Sequence, residues 1–189
     1  MKTFCIAVVI VVATASSAWG DDRKWAATIY GAVQADNEFN EMFCKPQFDA
    51  DYRLLVATLS REIGRFTENM QFELEGQIGK HFGDQSHMEL NGVIIARWLT
   101  FPWNKHLNTS FAVGEGLSLA TETPKYEALR HEKTNQLLNY LLVEIAVSLP
   151  QAPQWSLVWR VHHRSGIYGF FNGVHGASNA MGFGLRHSF

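Results

Sequence analysis

Residues 155–168, WSLVWRVHHRSGIY, alternate between two kinds of side chain. Strict alternation is typical of a β-strand whose two faces meet different environments. One row is mostly apolar and contains Trp155, Leu157, Trp159, Val161, His163, Ser165 and Ile167. The other row is mostly polar and contains Ser156, Val158, Arg160, His162, Arg164, Gly166 and Tyr168. The apolar row is therefore interrupted by a histidine and a serine two positions apart.

Similar alternation recurs along the chain and predicts an all-β protein. Eight candidate strands cover about 25–34, 52–62, 68–81, 88–100, 109–121, 134–149, 155–168 and 179–189. Their connections tend to alternate between long and short, as they do in outer-membrane barrels. We therefore predict an eight-stranded antiparallel up-and-down transmembrane β-barrel with both termini on the periplasmic side.

The polar rows predict a charged interior. A charge inside a narrow barrel needs a partner, so we expect glutamates to pair with arginines there. The candidates are Glu73, Glu75, Glu89 and Glu144, with Arg97, Arg160, Arg164 and Arg186. Side chains fill a barrel of eight strands, so we expect no open pore. A soluble lipocalin-like barrel would instead turn its apolar rows inward around a ligand, and periodicity alone leaves that alternative open.

The first twenty residues predict a secretory signal peptide. Lys2 supplies the positive charge, residues 5–13 form a short apolar core, and residues 18–20 offer a cleavage site near Gly20. We expect residues 21–189 to form one barrel domain in the outer membrane. Cys44 is then the single cysteine left, so an intramolecular disulfide is excluded. A net charge of −2 argues against a nucleic-acid partner.

His163 and Ser165 have the residue types of a catalytic base and a nucleophile. On the predicted topology they lie near the outer end of the seventh strand, in its lipid-facing row. Their backbones are about 6.5–7 Å apart, a gap that the side chains can close. A neutral imidazole accepts the serine proton, and the alkoxide attacks an ester carbonyl. The alternative is that both residues simply mark the membrane interface, where polar groups are tolerated.

A histidine base needs a third group that fixes its tautomer. Asn179, at the start of the eighth strand, is the predicted orienting residue, placed across the last hairpin from Ser165. Its amide supplies no negative charge to stabilise an imidazolium. Glu115 also interrupts an apolar row, but the fifth strand is too far from the seventh for direct contact. We interpret Glu115 as a bulge or a lipid-contact residue.

The histidines predict neither a metal site nor a cofactor. His162 and His163 are adjacent and point to opposite faces, so they cannot bind one metal ion together. Five others show no metal-ligand spacing and fall mainly in connections or at strand ends. They are His81, His87, His106, His131 and His175. We expect most of these five to be solvated surface groups.

The chain resembles the outer-membrane lipid A 3-O-deacylases of the PagL type, which are also described as acyloxyacyl hydrolase-like barrels. The resemblance covers the signal, the eight-strand plan and especially residues 155–189. Family members carry a His-x-Ser motif on the penultimate strand, facing the lipid, and His163-Arg164-Ser165 matches it. The resemblance implies metal-free hydrolysis of the ester-linked 3-hydroxyacyl chain at position 3 of lipid A. It makes lipopolysaccharide the substrate, His163 the base and Ser165 the nucleophile.

Two positions depart from the family pattern. The family has an acidic residue early in the last strand, where this chain has Ser178 or Asn179. The family has an asparagine after the serine, where this chain has Gly166, whose backbone N–H is the predicted oxyanion donor. The leading prediction is a lipid A deacylase. The alternative is a catalytically inactive outer-membrane barrel with a structural or surface-interaction role.

Overall fold

The computed structural model describes residues 23–39 and 41–189, which form one closed barrel. Its strands are β1 (Trp25–Ala35), β2 (Phe48–Thr67), β3 (Met70–Gly83), β4 (Met88–Trp98), β5 (Asn108–Ala120), β6 (Leu137–Ser148), β7 (Trp155–Ser165) and β8 (Ala177–Ser188). Each strand pairs antiparallel with the next, and β8 pairs with β1. The predicted eight-stranded up-and-down barrel is confirmed. The predicted signal peptide, 1–20, lies outside the described residues.

Some element boundaries differ from the prediction. β2 extends well beyond 52–62, and its pairing with β1 shifts register between Val33 and Gln34. β7 ends at Ser165, because Ile167 and Tyr168 have positive φ values of 44° and 51° that do not continue a strand. A helix, α1 (Lys125–Arg130), lies between β5 and β6. Its six residues are too few to produce a helical pattern in the sequence.

The apolar rows face outward and the charged rows face inward. Leu157 and Leu185 are 52% and 57% exposed on the outer surface. Glu144 and Arg160 are fully buried in the lumen. A water-soluble carrier requires the opposite arrangement, so the lipocalin-like alternative is excluded. An apolar band around a polar interior is the surface of a membrane-spanning barrel.

The strand ends form two different rims. The long-loop end carries the connections after β1, β3, β5 and β7, including α1. The terminal end carries the other connections and both ends of the barrel sheet, where the Trp25 N–H donates to the Phe189 carbonyl at 3.1 Å. Among the described residues, no helix is long and apolar enough to cross a membrane.

Ion pairs fill the lumen, as the sequence predicts. Arg160 donates two hydrogen bonds to Glu75, at 2.8 and 3.0 Å, and another to Glu144. Arg97 donates to the same Glu144 at 2.7 Å and to Glu73 at 2.6 Å. Arg160 and Arg97 thus each link two glutamates from different strands. Because they share Glu144, the ion pairs form a continuous network.

The remaining two arginines extend this network toward the two rims. Arg186 donates to Glu73 at 3.0 Å near the terminal end. Arg164, near the long-loop end, donates to Glu127 of α1 at 2.5 Å and lies 3.8 Å from Glu89. The contact with Glu127 anchors α1 to the barrel interior.

Replacing Arg160 with methionine should strongly destabilise the barrel. Breaking a buried ion pair by removing one partner costs about 3–5 kcal/mol, because the other charge stays buried. Here Glu75 and Glu144 would both lose a donor. Urea unfolding of the barrel in lipid vesicles measures the loss. The matched control is Arg65→Met at the surface pair with Glu62, where about 1 kcal/mol or less is expected; equal losses would contradict the network's role.

Candidate active site

His163 and Ser165 are the last two outward-facing residues of β7. The pairing of β7 with β6 and β8 has no register shift, so both side chains belong to the outer face. Asn179 lies directly opposite His163 in the ladder, and Ala177 lies opposite Ser165. This corrects the prediction that placed Asn179 across from Ser165. In this register the Asn179 amide lies beside the His163 imidazole.

A chain of two hydrogen bonds fixes the His163 ring. The Asn179 Nδ2 donates to the Asn37 carbonyl at 2.9 Å, so the amide oxygen Oδ1 faces the other way. That oxygen lies 2.6 Å from His163 Nδ1. An amide oxygen only accepts hydrogen bonds, so Nδ1 must carry a proton, and in the neutral ring Nε2 is then unprotonated. His163 is therefore held in the tautomer that can act as a base.

The first loop (residues 36–39 and 41–47) folds down over the outer face of the barrel and covers this part of β7. Val161 is fully buried there, packed with Met42, Met181 and Ala35. The Phe39 ring meets the His163 ring edge-on, with centroids 4.8 Å apart. As a result His163 is 9% exposed. The sequence predicted an open lipid-facing histidine, but the loop shields it.

A cavity of about 610 Å³ opens beside His163 and Ser165 at the long-loop end. Its wall combines apolar groups such as Phe39 and Ile167 with polar groups such as Arg130 and His175. Such a mixture is typical of a site for an amphipathic ligand.

Charged and polar groups of α1 border this cavity. Arg130 pairs with Asp36 at 2.8 Å and with Asp49 at 3.0 Å. The Tyr126 hydroxyl donates to Asp36 at 2.7 Å. Burial, together with that hydrogen bond, raises the pKa of Tyr126 above its usual value, so the phenol stays neutral. These contacts tie α1 to the first loop across the cavity.

Ser165 is half-buried and lines the same cavity. Within the described part of the chain, no hydrogen bond joins it to His163. The two residues share one strand face, with backbones about 6.5–7 Å apart. Catalytic hydrogen bonds are often long or poorly aligned before substrate binds, so the missing contact is compatible with a Ser165–His163 pair.

Gly166 does not fit the predicted oxyanion role. Its backbone N–H donates to the Gly176 carbonyl at 3.2 Å, within the connection between β7 and β8. A Cβ at this position would lie 1.9 Å from the Val174 carbonyl oxygen. The glycine is therefore explained by a close backbone approach, and its N–H is already engaged.

The outer face contains a second polar pair that the sequence analysis missed in part. Asn139 of β6 lies opposite Ser165, and its Nδ2 donates to Glu115 of β5 and to the Gly116 carbonyl. Glu115 faces outward, and β5 has no bulge there. The interpretation of Glu115 as a bulge is wrong. The missed signal is the position of Asn139 in the apolar row between Leu137 and Leu141.

Comparisons with known proteins support the fold. The barrel is similar to the crystal structure of the outer membrane enzyme PagL, with a TM-score of 0.55, 13% identity, and coverage of 84% of this chain and 97% of that one. It is also similar to Neisserial surface protein A, NspA, with a TM-score of 0.54, 12% identity, and coverage of 88% and 97%. No family model and no curated protein matches the sequence. The fold is thus that of eight-stranded outer-membrane barrels, one of which is an enzyme.

Replacing Phe39 with alanine should expose His163. The Phe39 ring covers the imidazole, so its removal should increase the rate at which diethyl pyrocarbonate modifies His163 by about tenfold. Peptide mass spectrometry of the folded barrel follows the modification of that residue. Phe66→Ala is the control, because Phe66 lies near the terminal end of β2 and is 75% exposed, far from the first loop. Modification of His163 at an unchanged rate in Phe39→Ala would contradict the covering role of the loop.

Proposed function

We propose that this chain is an outer-membrane serine esterase that removes the ester-linked 3-hydroxyacyl chain at position 3 of lipid A. The observation that carries the proposal is the fixed tautomer of His163, whose unprotonated Nε2 shares an outer strand face with Ser165. The chain would reach the membrane after cleavage near Gly20, with residues 21–189 as the barrel domain. The long-loop end would then face the cell exterior.

The proposed reaction begins with proton transfer from Ser165 to His163. The serine oxygen attacks the ester carbonyl, and a tetrahedral oxyanion forms. The imidazolium then donates its proton to the leaving sugar oxygen, and the acyl chain remains on Ser165. Water, activated by the same imidazole, attacks the acyl-enzyme and releases the fatty acid. No metal or cofactor takes part in these steps.

The position of the cavity supports a membrane lipid as the substrate. His163 and Ser165 lie where the apolar outer belt meets the long-loop rim, which corresponds to the headgroup level of the outer leaflet. An acyl chain approaching from the bilayer meets Phe39 and Ile167. The sugar headgroup of lipopolysaccharide meets the polar side, near Arg130.

The second candidate function is a catalytically inactive barrel with a structural or surface-interaction role. The observation that favours it is the amide at Asn179, because an amide cannot stabilise an imidazolium by charge. The fold similarity to NspA, a surface protein, is also compatible with this alternative. The two candidates differ in one measurable property, the hydrolysis of lipid A.

The decisive experiment is mass spectrometry of lipid A treated with the purified, folded barrel in detergent and of lipid A from cells that express it. We expect a product that lacks one 3-hydroxyacyl chain. Ser165→Ala and His163→Ala should reduce the rate by about 10³-fold or more, because nucleophile and base act as a unit.

Ser156→Ala is the control variant for this experiment, since it removes a hydroxyl at the opposite end of the same strand. It should retain full activity. Unchanged lipid A with folded wild-type protein in both assays would contradict the esterase and favour the inactive barrel.

The role of Asn179 is tested separately by two substitutions. Asn179→Ala should lower kcat by about 10²–10⁴-fold, because the ring loses the partner that fixes its tautomer. Asn179→Asp should preserve or raise kcat, because a carboxylate accepts the same Nδ1 proton and also stabilises the imidazolium. Steady-state kinetics on detergent-dispersed lipopolysaccharide measures both. Strong inactivation by Asn179→Asp would instead show that the amide donor to Asn37 is essential.

A further inference from the structure

Two histidines and a glutamate meet in the lumen at the long-loop end, outside the proposed esterase site. His81 lies in β3, His87 in the connection after it, and Glu89 in β4. The backbone N–H of His81 donates to the carbonyl of His87 at 3.0 Å, so the hairpin holds the two residues opposite each other. One potential ligand atom from each of the three side chains lies within 4.8 Å of the others.

All three side chains are buried, so His81 and His87 are exceptions to the expectation that most of the five histidines are solvated. The imidazole rings of His81 and His87 stack, with centroids 4.0 Å apart and planes 17° apart, so one ring must turn before both can direct a nitrogen lone pair at the same ion. His81 Nε2 lies 3.0 Å from Glu89 Oε2. The other carboxylate oxygen, Oε1, lies 2.7 Å from His162 Nε2 on the opposite wall. Glu89 is therefore held between two histidines.

One atom of this cluster has no protein partner. His87 Nε2 is buried and makes no hydrogen bond to any described residue. Gln34 and Tyr126 also line the narrow space around the cluster. Leaving a buried ring nitrogen without a partner costs free energy. A metal ion bound at this nitrogen would supply the missing partner.

The charges of the buried side chains in the lumen are also compatible with a bound cation. The buried charged side chains among the described residues are five glutamates and four arginines. They are Glu73, Glu75, Glu89, Glu127 and Glu144, with Arg97, Arg160, Arg164 and Arg186. With neutral histidines the lumen therefore carries one excess negative charge. Either a proton on a histidine or a bound cation balances it.

We propose that His81, His87 and Glu89 bind one divalent transition-metal ion of the Zn²⁺ class. Two imidazoles and one carboxylate form a known zinc ligand set. Two ligand atoms across a tetrahedral zinc ion are about 3.4 Å apart, given bonds of about 2.1 Å. To admit the ion, the 3.0 Å separation between His81 Nε2 and Glu89 Oε2 must widen by about 0.4 Å, and the His87 ring must turn out of its stack on His81.

The nearest arginine does not prevent binding. Arg164 Nε lies 3.8 Å from Glu89 Oε2, and its positive charge opposes a cation. However, the same guanidinium donates to Glu127 at 2.5 Å and to Ser118 at 2.7 Å. Glu127 thus largely balances the charge of Arg164. The main partners of the Glu89 carboxylate are then the histidines.

Gln85 is the residue that would control the affinity of this site. Its Nε2 lies 3.0 Å from His81 Nδ1, and its Oε1 accepts the Tyr126 N–H at 3.1 Å. When His81 Nε2 binds a metal, the ring proton moves to Nδ1, which then needs an acceptor. The Gln85 amide must turn its oxygen to Nδ1 and give up the Tyr126 N–H. A carboxylate at position 85 would accept both hydrogen bonds at once.

The test is a titration of the purified, folded barrel with Zn²⁺ alone, followed by isothermal calorimetry. We expect one saturable site. His87→Ala should weaken binding by at least tenfold, because it removes a ligand and leaves the Glu89 hydrogen bonds to His81 and His162 intact. Gln85→Glu should tighten binding by about tenfold, because metal-site partners of this kind change affinity 10–100-fold.

His106→Ala is the control, since His106 is exposed in the connection between β4 and β5. It should leave the affinity unchanged, and urea unfolding should show that each variant is folded. The proposal is overturned if no 1:1 binding occurs or if binding survives in His87→Ala. Equal or weaker binding in folded Gln85→Glu would also overturn it, because a purely hydrogen-bonded cluster gains nothing from that carboxylate in the presence of Zn²⁺.

Discussion

Buried carboxylates and guanidinium groups can share a narrow lumen only as pairs, and the rest of this structure follows from that constraint. Glu73, Glu75 and Glu144 each meet at least one arginine from another strand. A slip of one residue in β3, β4, β6, β7 or β8 would turn its lumen charges toward the membrane and its apolar side chains inward. The pairing therefore fixes the registers of these five strands, including that of β7. Because Arg160 must point inward, His163, three positions later, must point outward.

The proposed esterase site combines rigidity from the sheet with a contribution from a loop. The ladder between β7 and β8 places Asn179 beside His163. The first loop then fixes the amide through the Asn37 carbonyl and covers the imidazole with Phe39. The site thus has the orientation that a base requires, without the charge that a carboxylate would add. One acidic residue usually supplies both orientation and charge, and here Asn179 supplies only the orientation.

The sequence predicts much of the fold and part of the candidate site. Period-two alternation identifies the eight strands, and the glutamates and arginines of one row predict the lumen network. The same reading selects His163, Ser165 and Asn179. It misses α1, whose six residues are too short for a pattern, and it misassigns Gly166, whose N–H is used by the last hairpin. It also does not identify His81 and His87 as buried, because a position near a strand end gives no information on the packing above it.

By itself the sequence determines which side chains of a strand share a face, because successive side chains alternate between two faces. It therefore places His163 and Ser165 in the apolar row, whereas the closed barrel with its buried charges decides that this row faces outward. Only the tertiary structure decides which residues become neighbours across strands and loops. Asn37 and Asn179 are 142 positions apart, yet their hydrogen bond orients the candidate base. Such a contact depends on barrel closure and on the path of the first loop, and neither property is encoded in the periodicity of a single strand.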